Sequence, residues 1–281
     1  MLWRTLQLEK DKVFGRPILW IELGILTLII ALIDCGQYII AQLLPPNSGS
    51  SVALTHSLSW PMGLVQSPQF AASHSLGGIL LTIIVAVITA REYSWRTFHL
   101  WLSRGVSRLV LIEAKCIINV LLVLTMVITS ILVSGILTAI LTLLLHGSLA
   151  VDGENLKTLV LNFLITDYSL LPYVALAFML TIISRSSILA IGVGLAFILL
   201  VESVLYTTLT LAGGVWMHVA QYLPMGLEAS LQEATVSNAA PPSSLQIPYL
   251  SPALACGMIA LYIVAFAGIA VWRFLRQNFT D

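Results

Sequence analysis

"CIINVLLVLTMVITSILVSGILTAILTLLLH", residues 116–146, runs for thirty-one positions without a charged side chain. About 20 apolar residues suffice for a helix to cross the hydrocarbon layer of a bilayer, so this run must tilt or protrude. The surrounding chain has 281 residues, 58% hydrophobic and 9% charged. A soluble domain carries about a quarter charged residues, and a fold of this size in water needs a charged surface that this composition cannot supply. The expectation is an all-α integral membrane protein.

Reading outward from that run gives six spans, at 17–44, 71–90, 116–146, 159–184, 188–212 and 251–272, in a single transmembrane domain over 1–281. The fourth is interrupted by Asn162, Asp167 and Pro172, and Asp167 is a candidate N-cap with a short surface helix before it. Of the 13 Lys and Arg residues, Arg4, Lys10, Lys12 and Arg16 precede the first span. Arg91, Arg96, Arg104, Arg108 and Lys115 lie between the second and third, Arg185 between the fourth and fifth, and Arg273 and Arg276 after the sixth. Lys157 alone falls on the other side. Basic residues stay in the cytoplasm, so both termini are expected there, in a cell inner (plasma) membrane. Residues 1–16 carry Glu9 and Asp11 and precede too long an apolar run to be a signal peptide; they read as a cytoplasmic interfacial helix. Residues 45–70, without a charge, and 213–250, with "GG", "LP" and "PPSS", are the outer loops; 216–234 is expected to form short interfacial helices. Cys35, Cys116 and Cys256 lack metal-site spacing and read as small apolar residues.

Several chemistries are missing. No phosphate-binding loop contains any of the four lysines, and there is no His-Glu-x-x-His, Gly-x-Ser-x-Gly or paired-cysteine site. The chain is expected to be no enzyme and to bind no cofactor itself. The histidines read by default as interfacial polar side chains, with His74 and His146 facing each other at the outer edge as haem ligands a remote alternative. Of the acids inside spans, the site candidates are Glu22, Asp34 and Glu202, the last about 21 Å along the fifth span. A charge near mid-membrane costs about 2.5–3.5 kcal/mol on insertion scales, so each should face protein or water. They are candidates for a translocation path or a dimer interface; a hydrogen-bonded glutamate at a helix contact is the structural alternative.

The connection 91–115, within "TAREYSWRTFHLWLSRGVSRLVLIEAK" (89–115), concentrates five of the basic residues. On a helix, Trp95, Phe98 and Leu102 share a face with Trp101 beside them, while Glu92, Arg96, His99 and Ser103 fall opposite. Gly105 is expected to end this helix and Ser107 to cap the next. Such an amphipathic helix either rests on lipid headgroups or docks a soluble partner.

This stretch resembles the cytoplasmic loop of the permease subunits of bacterial type-two, exporter-class ABC transporters. The resemblance lies in Glu92, Arg96-Thr97, the apolar stretch Phe98 to Leu102, the turn Gly105-Val106-Ser107-Arg108, and Lys115. A glycine commonly precedes the threonine in that family; here it is Arg96. "YLPMGLEASL" (222–231) before the last span adds weaker support. The resemblance implies a coupling helix that docks cytosolic ABC ATPase subunits through Glu92, Tyr93, Trp95, Arg96, Thr97, Phe98, Trp101, Leu102, Arg104, Ser107 and Arg108. It implies a second permease copy or paralogue as homo- or heterodimer partner, ATP and Mg on the ATPase, and spans one, two and five lining the path. A lipid membrane and no nucleic acid complete the expected partners. Two other readings rest on residues alone: an ion- or proton-coupled secondary transporter using Glu202, Asp34 and Glu22, and a membrane anchor or haem subunit using the outer histidines.

Overall fold

The computed structural model describes residues 2–45, 49–72, 76–95, 97–103, 105–145, 149, 153–233 and 249–277. Among these, all regular structure is helical, and six helices are long and apolar enough to cross a membrane. The N-terminal helix α1 (Leu2–Phe14) leads into α2 (Pro17–Leu43), where Pro17 occupies the first turn without losing a needed N–H. Two short helices, α3 (Gly49–Leu58) and α4 (Met62–Gln66), and a 3-10 turn (Ser67–Ala71) come before α5 (Leu76–Ser94). The short α6 (Thr97–Ser103) then precedes α7 (Arg108–Leu145), the longest helix, and α8 (Gly153–Ser184).

The fifth span is composite: α9 (Ser187–Ala196), a π-helical stretch over Phe197–Leu205, and α10 (Tyr206–Ala212). After α11 (Gly214–Ala220) and α12 (Pro224–Glu233), α13 (Pro252–Leu275) closes the bundle. Helix ends carry expected signals. Gly105, at φ +79°, ends α6 in the left-handed region, and the Val110 N–H donates to Ser107 Oγ at the head of α7.

The spans fall where the apolar runs predict, with four differences. Span two starts at Leu76, not 71, because Ser67–Ala71 forms a separate turn. Span three extends back to Arg108, so the connection between spans two and three is shorter than 91–115. This is possible because Arg108 and Lys115 are neutralised or hydrogen-bonded at the bundle end. Span four is one helix from Gly153, with Pro172 inside it; Asp167 caps nothing, and no separate surface helix precedes it. Residues 49–70, part of the 45–70 stretch read as a loop, are folded against the bundle. The Asn162 amide donates to the Val65 carbonyl at 2.9 Å, and the Trp60 N–H donates to Thr142 Oγ1 at 2.8 Å.

Helix α5 sits at the centre, with 67% of its apolar window buried, whereas α2, the fifth span and α13 bury only 28%, 22% and 17%. Those three helices therefore present broad apolar faces outward. On α2 the buried side is one stripe, Leu19, Glu22, Leu26, Ile30 and Asp34, at the i+3/i+4 spacing of one helix face. The core continues through Leu81, Ile84 and Val85 of α5, Leu122 and Val127 of α7, and Phe178 of α8.

Candidate functional site

Both described chain ends meet at one end of the bundle, and the basic connection lies between them. There α1 places Glu9 and Lys12 against Glu92 in the last turn of α5 and Lys115 in α7. Glu92 and Glu9 are fully buried, at 0% exposure, and Lys115 is 4% exposed. Lys115 pairs with Glu92 at 2.8 Å and closely with Glu9; Lys12 pairs closely with Glu92 and, at 3.4 Å, with Glu9. Two acids and two lysines thus cancel. A buried carboxylate without a partner would cost several kcal/mol, so this arrangement is tolerable only as a complete set. The Thr97 hydroxyl donates to the Glu92 backbone carbonyl (3.2 Å) and to its carboxylate (3.3 Å), fastening the start of α6 to the same cluster.

A second layer packs beside the charges. Phe98 of α6, buried, meets Tyr93 edge-on at 4.8 Å and Phe274 of α13 at 5.2 Å. The Tyr93 hydroxyl donates to Gln277 Oε1, and the Gln277 amide donates to the Ile182 carbonyl of α8. Arg108 donates to the carbonyls of Leu275 and Gln277. Arg16, between α1 and α2, stacks over Trp95 at 5.6 Å and donates to the Ile88 carbonyl. Burial lowers the Arg16 guanidinium from its ordinary value, and the Glu92 charge opposes that shift.

This geometry redraws the face read from the sequence. The α5 helix stops at Ser94, so Glu92 and α6 do not lie on one continuous helix. Glu92 and Phe98 point inward and hold α6 in place. Trp95, sharing no face with Phe98, is 60% exposed, and Leu100 is 53% exposed. Ser103 and Ser107 are also exposed, and Tyr93, Thr97, Trp101, Leu102 and Arg108 are half-buried. Arg96 and Arg104 lie outside the described residues, as do His74 and His146. Glu9, Lys12 and Gln277 were not read from the sequence as part of this site. The signal for Glu9 was its spacing: Thr5, Glu9 and Val13 share one face of α1, and all three are buried.

Glu22, Asp34 and Glu202 all face the interior of this chain. Glu202, 3% exposed, lies in the π-helical stretch; its Oε2 accepts from the Tyr173 hydroxyl and, at 3.1 Å, from the Met225 N–H at the start of α12. It therefore ties α8 and α12 to the fifth span, while its Oε1 has no hydrogen-bond partner. Glu22 is buried on the inner stripe of α2 with Oε1 unpartnered. Asp34, three turns further along that stripe, lines a polar cavity with Ser134 and Thr138 of α7 and the folded segment 49–71. No group of three or more metal-ligating side chains occurs among the described residues.

A family described as proteins of unknown function, DUF2705, matches residues 68–280, three-quarters of the sequence, and the chain belongs to it. No curated protein and no solved structure matches the chain.

Proposed function

We propose that this DUF2705 chain is the membrane-spanning permease subunit of an ATP-driven ABC exporter, powered by separate cytosolic ATPase subunits. The observation that carries this reading is the mounting of α6. A seven-residue helix outside the apolar spans is fastened by buried side chains to four others: through Thr97 and Glu92 to α5, α1 and α7, and through Phe98 to α13. A helix resting on lipid needs no such fixing. A helix that transmits movement from a partner to the spans does, because a loose mount would dissipate the displacement.

On this reading the basic end is cytoplasmic, in accord with twelve of the 13 basic residues lying on that side. The ATPase meets the outward surface of Trp95, Leu100, Ser103 and Ser107. The open faces of α2 and the fifth span suit a second permease copy or paralogue, whereas α5 is enclosed within its own chain. ATP binding on the partner shifts the population of permease arrangements, and α6 carries that bias inward.

The test is co-purification of the tagged full-length chain from its own membrane. An ATP-hydrolysing subunit should remain bound, and Trp95→Ala combined with Leu100→Asp should release it while the permease still elutes as a folded species. Retention of the ATPase by that variant, or its absence from the intact protein in every gentle detergent, would sink the assignment.

A further inference from the structure

The end of the bundle away from the termini holds a cavity of about 310 Å³ that the coupling role does not use. Its construction begins with sequence. Residues 45–70 contain no charged side chain, so the segment can fold back against the spans without burying a charge. Two glycines let it approach. A Cβ on Gly63 would lie 2.6 Å from Thr138 Cγ2, and one on Gly135 would lie 2.8 Å from Leu64 Cδ1. The segment thus seats against α7 about 10–17 Å from that helix's end, measured at Thr138 and Ser134.

The wall so formed is polar. Gln66 and Gln69 from the folded segment, and Gln37 from α2, present amides to the cavity, with Phe70 as an aromatic wall. Asp34 is 2% exposed and its Oδ2 has no hydrogen-bond partner, while Ser134 of α7, fully buried, stands beside the same carboxylate. The cavity wall therefore carries a buried carboxylate oxygen that this chain leaves unpaired. Such atoms are costly when left unpaired, and native structures usually account for each by water or a bound group.

We propose that this cavity binds a small organic ammonium cation, with Asp34 as its counter-charge. The sign follows from the lining: one carboxylate, several neutral amides and hydroxyls, and no basic residue among the described ones. The valence follows too, since all-protein sites for divalent ions draw on several oxygen ligands, commonly more than one carboxylate, held close. The volume exceeds what a bare monovalent ion fills and suits a headgroup of several heavy atoms. An ammonium can donate to Asp34 and the glutamine carbonyls and lie against Phe70, whose ring face attracts cations. The same chemistry is offered by a free alkylamine and by an amine-bearing lipid headgroup. The inference does not rest on the exporter assignment.

The experiment uses the purified full chain in lipid nanodiscs, with calorimetric titration of ethylammonium and choline chlorides against a sodium chloride reference. Discs of phosphatidylglycerol alone should show saturable binding near one cation per chain. Asp34→Asn should weaken it roughly tenfold or more. Gln66→Leu, which leaves every charge in place, should weaken it severalfold and serves if Asp34→Asn does not fold. Loss of the free-amine signal in discs containing phosphatidylethanolamine would identify the lipid as source; an unchanged signal would identify the free amine. No saturable binding, binding of sodium in preference to both amines, or binding indifferent to both substitutions would overturn the proposal.

Discussion

The Glu9–Glu92 cluster and Asp34 handle buried charge in opposite ways. At the basic end, Glu9 and Glu92 are answered by Lys12 and Lys115, and every partner comes from this chain. At the far end, Asp34 is buried just as deeply, yet one of its oxygens is left without a partner, and Glu202 is satisfied on one oxygen only. Closed charge sets fasten helices to one another. The open oxygen of Asp34 instead lines a cavity, and that is the feature on which the proposed binding role rests.

Removing single charges is the sharpest way to break this contrast. Glu92→Gln leaves Lys12 and Lys115 to share Glu9, with one buried positive charge in excess, and should destabilise the detergent-solubilised chain by about 3–5 kcal/mol, read as a drop in melting temperature. Combining it with Lys115→Met should recover much of that loss, because the stranded charge goes with it; failure of the recovery would mean that the cluster does not act as a unit. Phe98→Ala removes the ring between Tyr93 and Phe274 and should cost about 3–5 kcal/mol in the same assay. Gly63→Leu overpacks against Thr138 and should cost about 1–3 kcal/mol, with loss of amine binding. Asp34→Asn should move in the other direction, leaving the ligand-free protein unchanged or raising its melting temperature, since it deletes an unpaired buried charge. The smallest effect is expected from Ser107→Ala, about 1 kcal/mol or less for a lost N-cap. A large loss at Asp34, or none at Glu92, would erase the distinction between the ends.

The spans were legible because length and hydropathy are properties of consecutive residues. The runs around 17–44 and 251–272 needed nothing more. The start of the third span was not legible, since Arg108 and Lys115 look like loop residues until their partners arrive from Leu275, Glu9 and Glu92. Those partners lie 167, 106 and 23 positions away in sequence, beyond the reach of any periodicity. Segment 49–70 read as a loop for the related reason that its support is supplied by Asn162 and Thr142 of other helices. The helix face through Trp95 and Phe98 does not form one surface, because the chain breaks after Ser94. Asp34 was singled out by its cost in the membrane, but its cavity became visible only when Ser134 and the three glutamines stood around it.

The length of α7 has one further consequence. At 38 residues it measures about 57 Å, nearly twice the thickness of a bilayer's hydrocarbon layer. It contains no proline, and it carries Lys115 near one end and Ser134 and Thr138 toward the other. One helix therefore runs unbroken from the Glu9–Glu92 cluster to the wall of the Asp34 cavity. The two buried acid sites, one closed and one open, thus share a single continuous backbone, and a bend in it at Ser134-Gly135 would alter the cavity without disturbing the cluster.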